Sequence, residues 1–445
     1  MLSVVSLCLM PAAVAAQTAA PPASAPSTSS QPATASLPEA PSLPTTPSQP
    51  AGTFQRGGGP QPGTAFEPAG TQASTVREGA EPALQFRALL GFEHESNALR
   101  TPSSAAKTSD RAVIAGVGLR ADRRYGLQRF RADVEANTYK YDKLSELDYS
   151  VVNYALAWDW SITPRFHGVV SADRRQYREI NTDPFALVNR VGRRTERTEL
   201  VEGIYDVGAA WRVLGGLSRT EAKSSELNTW DASPSVESAR VGVGYEFASG
   251  TAMYVRFRRG DGKYNDPTPG ASTGDFRENE TEFHLVWPVT TKTSLEGRIA
   301  YLDRSHDTGS ARDFDGIVGS AAVSWAVTGK TRVVGGYNRD LSASGLATGG
   351  HIQSDRIYIG PVWRATSKIA VNARYDRVSR DWKDVPAGSV ELGRNETVQT
   401  LTAGVDWEPR RWLAVSGYVR GERTKSSLYS GYRNTTIGAA VKAYF

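Results

Sequence analysis

The sequence predicts an all-β protein: a transmembrane antiparallel up-and-down β-barrel of about 18 strands, with 16 as the other possible count. Three observations support this fold class. Apolar and charged residues alternate along many segments, large aromatic residues recur at regular intervals, and the last residue is a phenylalanine that ends an alternating segment. Alternating segments of about ten residues or more are long enough to cross a bilayer at a tilt. Closing them into a barrel leaves no unpaired edge in lipid.

The alternation also predicts which face of each strand meets lipid. In the segment VEGIYDVGAAWRV, which begins at Val201, Tyr205 and Trp211 share a face with Val201. Glu202 and Arg212 fall on the opposite face. A basic side chain facing lipid near the middle of the bilayer costs roughly 2–4 kcal/mol. The apolar face is therefore expected to meet lipid and the charged face the lumen.

Short connections alternate with longer polar ones along the chain. Bacterial barrels keep their short turns on the periplasmic side, so this pattern predicts an N-terminal segment in the periplasm and an outer-membrane location in a Gram-negative cell. The short connections are predicted at 121–126, 161–165, 214–215, 248–250, 288–293, 328–330, 365–368 and 409–411. The longer ones include 98–109, 179–197, 265–274 and 384–393.

The large aromatic residues adjoin the short connections. Such residues form girdles where a barrel meets the membrane interface, so we expect one ring of them at the periplasmic edge. The terminal phenylalanine is also typical of the strand that outer-membrane assembly machinery recognises. The predicted girdle consists of Trp158, Trp160, Trp211, Phe247, Trp287, Trp325, Trp363, Trp407 and Phe445.

Composition divides the chain into three parts. Residues 1–16 are apolar, end in small residues and contain the single cysteine, Cys8, which predicts a secretory signal peptide. Residues 17–80 are rich in Pro, Ala, Ser and Thr and predict a disordered periplasmic tether, because they offer too few apolar side chains to form a core. Residues 81–445 are assigned to the barrel.

Two other classes of protein compete with a membrane channel. A soluble β-propeller also repeats every 40 to 45 residues, but it needs four short strands per repeat rather than two long ones. A lipid-modifying barrel enzyme needs a catalytic group at the rim, and no nucleophile motif or short histidine spacing supplies one. We therefore expect neither enzymatic activity nor a cofactor or metal. The formal net charge of +5 is small for 445 residues and does not predict a nucleic-acid partner.

Ten residues on the charged faces are candidates for contact with a solute or polymer. Arginine pairs with carboxylates and other anions, and tyrosine rings stack against sugars, so a lumen lined by both suits an anionic polysaccharide. The same residues would equally form ladders of opposite charge that stabilise the wall. The candidates are Arg175, Tyr177, Tyr254, Arg256, Arg258, Arg298, Arg374, Asp376, Tyr418 and Arg420.

Two stretches resemble a known family. FEHESNALRT, residues 92–101, contains a Ser-Asn-x-x-Arg element, and residues 139–179 look like a hairpin whose first strand ends at Trp158 and Trp160. Both resemble the porin-type β-barrels found with exopolysaccharide gene clusters, the EpsL type. The resemblance implies an outer-membrane component of exopolysaccharide synthesis and export.

This interpretation adds partners to the prediction. It implies contacts with outer-membrane lipid, with the assembly machinery through the C-terminal strand, with polysaccharide and with periplasmic export proteins. A general solute porin is the main alternative. The sequence leaves the oligomeric state open.

Overall fold

The computed structural model describes residues 83–180, 191–224, 234–264, 275–307, 310–343 and 350–445. These residues form one closed barrel of 18 antiparallel strands, as the alternation predicts. The predicted signal peptide and tether lie outside the described residues. The strands are β1 Leu84–Glu95, β2 Asp110–Tyr125, β3 Gln128–Tyr141, β4 Tyr149–Thr163, β5 Phe166–Ile180, β6 Val191–Val207, β7 Trp211–Ser224, β8 Pro234–Glu246, β9 Ala252–Tyr264, β10 Phe276–Thr290, β11 Thr293–His306, β12 Phe314–Ala326, β13 Thr331–Ala343, β14 His351–Arg364, β15 Ile369–Lys383, β16 Asn395–Arg410, β17 Leu413–Ser426 and β18 Arg433–Tyr444.

The first and last strands close the barrel. β1 pairs with β18 from Arg87 opposite Tyr444 to Glu95 opposite Thr436. The last residue is part of this seam, since the Phe445 backbone N–H donates to the Phe86 carbonyl at 2.9 Å and accepts the reciprocal bond at 3.1 Å. With both edges paired, no strand is left to expose its backbone groups to lipid.

The two faces of the wall differ as the alternation predicts. Val201, Tyr205 and Trp211 are exposed on the outer face, whereas Glu202 and Arg212 point inward and are partly buried. The same pattern continues around the barrel, so its outer surface carries a broad apolar band. The outer face is thus suited to lipid and the inner face to water.

One predicted turn is wrong. The short connection expected at 214–215 lies inside β7, and the chain turns instead between Val207 and Trp211. Gly208, with φ of 73°, has the left-handed backbone conformation that glycine tolerates best. Gly216 does not serve the turn: a Cβ there would stand 2.7 Å from the Val201 carbonyl oxygen, so glycine permits close approach of two strands.

The connection predicted at 179–197 is also shorter than expected. β5 extends to Ile180 and β6 begins at Val191, so several polar residues belong to strands. Arg193 and Arg197 lie on the outer face of β6 beyond the apolar band and are exposed. Strands that project past the membrane lose their apolar alternation, which is why this stretch has the composition of a loop.

Helical structure is limited to short segments in the described part of the chain. Two 3₁₀ turns, Ser145–Leu147 and Ser310–Arg312, lie in connections between strands. None of the described helices is long and apolar enough to cross a membrane.

The backbone ladder is incomplete at two places, both toward the longer connections. β4 and β5 stop pairing at Tyr154 and Arg174, although β5 continues to pair with β6 as far as Ile180. β12 and β13 stop pairing at Gly319 and Arg339. The neighbouring strands separate at these two seams, and side chains fill the space between them.

Candidate functional site in the barrel lumen

The strand pairing places all ten predicted lumen residues on the inner face. Six of them are arginines, and the register sets three of these opposite carboxylates: Arg256 faces Glu282, and Arg258 faces Glu280. Arg175 also faces Glu196 across β5 and β6, but the two form no ion pair, because Glu196 is bonded to Tyr177 and Arg194 instead. The lumen lining is therefore built from cross-strand pairs of opposite charge. No finding tests whether these residues contact a solute, so that role stays a prediction.

The densest group of charges lies on three neighbouring strands, and we call it the charged column. β10 presents three inward carboxylates, and arginines approach them from both sides. Arg258 donates to Glu278 at 2.6 Å and to Glu280 at 2.8 Å. Arg304 donates to Glu278 at 2.5 Å from the other side. The charged column consists of Arg256 and Arg258 on β9, Glu278, Glu280 and Glu282 on β10, and Arg298 and Arg304 on β11.

Burial makes these pairs strong constraints on the wall. Glu278 is 1 % exposed and Arg304 is fully buried, so neither group can rely on water to stabilise its charge. A buried charge that loses its partner pays a large desolvation cost. Arg298 donates hydrogen bonds to both Glu280 and Glu282, so two successive inward positions of β10 belong to one network. The arginines of the charged column are thus occupied by the wall itself.

Other inward arginines are held in the same way. Asp376 accepts from Arg356 at 2.6 Å and from Arg374 at 2.8 Å. Arg240 pairs with Glu202 at 2.6 Å on the opposite side of the lumen. The ion-paired lining therefore extends well beyond the charged column.

The three predicted tyrosines are buried rather than offered to the lumen. Tyr177 donates to Glu196 at 2.8 Å, and Tyr418 donates to Glu93. Tyr254 lies over Gly244, where a Cβ would stand 2.4 Å from its ring. With exposed fractions of 4 to 9 %, these rings present little surface for stacking against a sugar.

A few inward charges have no oppositely charged partner. Among the described residues, Arg175 and Arg420 of the predicted set have no carboxylate within salt-bridge distance, and the same holds for Arg332, which sequence analysis missed. Two inward carboxylates are bonded to asparagines instead: Asp340 accepts from Asn338, and Asp406 accepts from Asn372 at 2.9 Å. Unpaired charges of both signs therefore line the lumen.

The element Ser-Asn-x-x-Arg forms a second inward feature that sequence analysis did not place in the site. Asn97 is fully buried in the connection between β1 and β2. Its side-chain oxygen accepts from the backbone N–H of Thr101 at 3.0 Å, and its amide donates to the carbonyls of Thr101 and Arg433 at 2.9 and 3.2 Å. Its own backbone N–H donates to Asn434 at 2.9 Å. One asparagine thus binds this connection to β18.

Arg100 completes this anchor. Its φ of 50° places it in the left-handed region, which is unfavourable for a residue with a side chain. Its guanidinium pairs with Glu95 and lies 3.8 Å from Glu422. Burial by itself lowers the pKa of Arg100, but the two carboxylates outweigh this effect and raise the pKa above its ordinary value. The strained backbone is therefore held by a buried ion pair.

Apolar side chains pack around this anchor on the inner wall. Ala98 joins a buried cluster with Ile114, and Leu147 from the first 3₁₀ turn joins the same cluster. Tyr139 and Tyr149 stack in parallel with ring centroids 4.2 Å apart. Two connections therefore fold inward and narrow the channel on one side at the end with the longer loops. We call this cluster the packed mouth: Asn97, Ala98, Arg100, Ile114, Tyr139, Leu147 and Tyr149.

The predicted girdle residues all lie at the barrel end with the short turns. Trp287 and Trp407 are close to the ends of β10 and β16, and Trp211 starts β7. These three side chains are exposed on the outer face, whereas Trp160 is half-buried against Phe166 at a centroid distance of 5.1 Å. Their function at a membrane interface stays a prediction. Exposed Trp412 and Phe130, which stacks on Trp158, belong to the same end and were missed.

The fold and the lumen together define a class of protein. A closed barrel with an apolar outer band and a polar, charged interior is a transmembrane β-barrel of the bacterial outer-membrane type. Barrels of 16 to 18 strands are wide enough to enclose an aqueous channel. In the described ranges, no group of three or more His, Cys, Asp or Glu side chains is placed to hold a metal ion.

Comparison with solved structures finds matches to several outer-membrane proteins. The outer-membrane protein OpdK of Pseudomonas aeruginosa, solved with vanillate, has a TM-score of 0.45 and 12% identity, covering 81% of this chain and 99% of that one. OccK9 (OpdG) of the same organism has a TM-score of 0.45 and 10% identity, covering 81% and 98%. OccAB3 of Acinetobacter baumannii has a TM-score of 0.43 and 11% identity, covering 81% and 99%.

Comparisons by sequence find nothing further. No family model and no curated protein matches the chain. The resemblance to exopolysaccharide-associated barrels therefore has no support beyond the short stretches that suggested it.

Proposed function

We propose that the protein is a general solute porin: a passive channel for small polar solutes with little preference for either ion sign. The observation that carries the proposal is the pairing of the lumen charges. In the charged column, three carboxylates are each bonded to arginines on neighbouring strands, so most of their field is cancelled within the wall. Charged rings set ion selectivity in pores, and paired charges weaken that effect.

The few unpaired charges support the same conclusion. Arg175, Arg332 and Arg420 add positive potential to the lumen, and Asp340 and Asp406, which are bonded to asparagines, add negative potential when they are ionised. Neither sign dominates the lining. A lumen of this kind favours neutral and zwitterionic polar solutes, which exchange water for hydrogen bonds with the wall.

The polysaccharide interpretation is the second candidate, and it rests on the resemblance of two short stretches. The geometry gives it less support than the sequence suggested. The candidate tyrosine rings are buried, and most candidate arginines are bonded to wall carboxylates. The Ser-Asn-x-x-Arg element has a structural explanation as the anchor of an inward connection. Passage of a polymer would need binding groups that face the channel.

The orientation and assembly belong to the proposal as well. We infer that the short-turn end faces the periplasm and that the assembly machinery recognises the C-terminal strand. Phe445 supports recognition of the C-terminal strand, because its backbone pairs with β1 in the closing seam while its side chain is 74 % exposed. Deleting Phe445 should lower the yield of heat-modifiable barrel in outer membranes more than deleting residues 17–60. Equal yields would contradict the recognition of this strand.

The experiment that tests the function is liposome swelling with the purified full chain. We expect fast entry of mono- and disaccharides, entry rates that fall smoothly with solute size, and similar rates for a zwitterionic amino acid and a neutral sugar of equal mass. Exclusion of every small solute would overturn the porin proposal. Loss of secreted polysaccharide on deletion of the gene, with unchanged uptake of small solutes, would favour the polysaccharide channel.

A further inference from the structure

Basic side chains cross the outer face of β15 to β18 at one height, toward the end with the longer loops. Arg377 of β15 and Arg423 of β17 both face Gln399 of β16, which shares the outward parity of the exposed Leu401. Arg423 also faces Arg433 of β18. All three arginines are exposed. We call this set the basic row: Arg377, Gln399, Arg423 and Arg433.

The basic row has no acidic partners. Residues 350–445 are all described, and among the described residues no carboxylate lies within salt-bridge distance of its three arginines. Other outer-face arginines toward the same end are paired: Arg339 lies 2.7 Å from Asp355, and Arg197 lies 3.5 Å from Glu221. The outer face of β15 to β18 therefore carries a concentration of uncompensated positive charge.

Two of these charges repel each other across a strand pair. Arg423 and Arg433 are directly opposite, and like charges in that arrangement destabilise a sheet. Gln399 on the other side of Arg423 brings no charge, and its amide donates to the Tyr375 hydroxyl at 3.3 Å. No described residue neutralises the arginine pair. An anion held between the two guanidinium groups would do so.

A groove of about 320 Å³ on the outer face gives an anion access to this pair. Two arginines and the glutamine of the basic row border its upper side, and Tyr375 and Leu401 border its lower side. Gly421 lies between them, and a Cβ there would meet no atom within 4 Å. The groove is therefore open above the backbone of β17.

One acidic residue belongs to the groove lining, but its side chain faces away. Glu422 has the inward parity of β17, and its side chain is only 4 % exposed. It accepts a hydrogen bond from Tyr432 and lies 3.8 Å from Arg100 on the inner side of the wall. The groove thus presents cationic groups and no described carboxylate to the outside.

The basic row lies where the apolar band ends. Gln399 is eight residues from Trp407 of the predicted girdle along β16. Eight residues span about 27 Å along a strand, which is about 20 Å of height at a tilt of about 40°. The apolar band of outer-membrane barrels is about 25 Å tall. Leu401 and Ile437 below the row are exposed and apolar, so the row is at the height of the lipid head groups.

An amphipathic anion fits both parts of this surface. Its acyl chains would cover the apolar residues, and its head group would reach the basic row. Phosphate suits the arginines because a guanidinium donates two parallel hydrogen bonds to its oxygens. Neighbouring strands are about 4.8 Å apart, so Arg377 on β15 lies about 10 Å from Arg423 on β17. A disaccharide head group with two phosphates can meet both positions.

We propose that the outer face of β15 to β18 binds a glycolipid of the outer leaflet through its phosphorylated head group. Arg423 and Arg433 hold one phosphate between them, and Arg377 binds a second. The choice of leaflet rests on the proposed orientation of the barrel, whereas the site itself does not. The site is also separate from the lumen, so lipid binding and solute passage are lost independently.

The test is isothermal titration calorimetry on the full chain, refolded from denaturant into nonionic detergent so that it carries no cellular lipid. The first probe is a bisphosphorylated diglucosamine glycolipid, the second is the same lipid after removal of both phosphates, and the third is inorganic phosphate. We expect wild type to bind the first probe at least about tenfold more tightly than either of the others. Equal affinity for the two lipids, or for the first lipid and inorganic phosphate, would overturn the proposal.

Two double substitutions with the same change in net charge separate the basic row from general charge. Arg423→Gln with Arg433→Gln should weaken binding of the phosphorylated lipid at least about tenfold. Arg197→Gln with Arg219→Gln is the matched control, since both are exposed outer-face arginines that face carboxylates. The control should bind like wild type. Equal losses in both variants, or no loss in the first, would contradict the proposed site.

A stability measurement adds a second readout that a merely structural role would move the other way. Arg433→Gln removes the like-charge pair, so the lipid-free variant should unfold at the same or a higher guanidinium concentration than wild type. Saturating phosphorylated lipid should raise the midpoint of wild type more than that of the variant. A lower midpoint in the lipid-free variant would show that Arg433 stabilises the wall and would overturn its assignment to the lipid.

Discussion

The charged column and the packed mouth occupy the lumen in opposite ways. In the charged column, inward side chains of three adjacent strands form ion pairs. Only side chains enter the lumen there, because the backbone keeps its place in the sheet. In the packed mouth, two connections fold inward, and apolar and aromatic side chains pack beneath them. The charged column fixes charges at the wall and occupies little of the lumen. The packed mouth fills part of the lumen and carries few unpaired charges. The comparison indicates that the lumen lining and the channel width are controlled by separate parts of the chain.

This separation has an energetic basis. Ion pairs across neighbouring strands need only the register of the sheet, which the backbone ladder supplies. An inward connection has to satisfy its own backbone groups, and Asn97 does so with bonds to both Thr101 and β18. Loss of a charge should therefore weaken the wall, whereas loss of the asparagine should loosen the mouth and leave the wall intact.

The largest expected effect is in the charged column. Glu278→Ala leaves Arg258 and Arg304 without their shared carboxylate, and removing one member of a buried ion pair costs about 3–5 kcal/mol. We expect a lower midpoint for unfolding in guanidinium, measured by loss of the heat-modifiable band. Glu237→Ala is the control, since Glu237 is exposed and lies 3.7 Å from Arg219 on the outer face. A change of more than about 1 kcal/mol in the control, or equal changes in both, would contradict a special role for the column.

A smaller effect on stability and a larger one on conductance are expected at the packed mouth. Asn97→Ala removes the side-chain bonds that anchor the first connection, at a cost of about 1–3 kcal/mol. The freed connection should widen the channel, raise single-channel conductance and become sensitive to protease. Ser104→Ala, at an exposed position of the same connection, should change none of these. Unchanged conductance in Asn97→Ala would mean that the mouth does not limit the channel.

The smallest effect is expected at an unpaired charge. Arg175 points into the lumen without a carboxylate within salt-bridge distance among the described residues, so Arg175→Gln removes a positive charge from the lumen without breaking an ion pair. The neutral glutamine also avoids setting a second carboxylate opposite Glu196. The permeability ratio should move toward cations by about twofold while stability is unchanged. Arg298→Glu, which places a third carboxylate beside Glu280 and Glu282, should instead reduce the yield of folded barrel. A stable Arg298→Glu barrel would show that the ion pairs contribute little to the wall.

Most of the fold could be predicted from the sequence because the lipid face constrains every second residue. That constraint alone predicts that the side chains of Val201, Tyr205 and Trp211 lie on the outer face. The turn at Gly208 was missed because three turn residues preserve the parity of the flanking strands, so Val207 and Trp211 continue one pattern across the hairpin. A pattern of period two carries no signal where the chain reverses without changing parity.

The site could be predicted only in part. Alternation identifies which arginines point inward, but their partners depend on the register between strands, as in the bonds from Arg258 to Glu278 and Glu280. Asn97 lies in the connection between β1 and β2, where the side chains follow no periodic pattern. The sequence therefore does not predict that it is buried. Arg178 has the outer-face parity of β5, yet its side chain turns inward and donates to Glu95 at 3.0 Å, because β4 and β5 stop pairing at Arg174. The separation of two strands is a tertiary feature with no local sequence signal.

The central claim is that pairing cancels the lumen charges, and the reversal potential of the purified wild-type channel tests it most directly. The measurement uses a planar bilayer with a tenfold gradient of KCl. The account predicts a reversal potential near zero, with a permeability ratio within about threefold of unity. A potential close to the Nernst value for either chloride or potassium would contradict the account, because it would show that unpaired charge governs the channel.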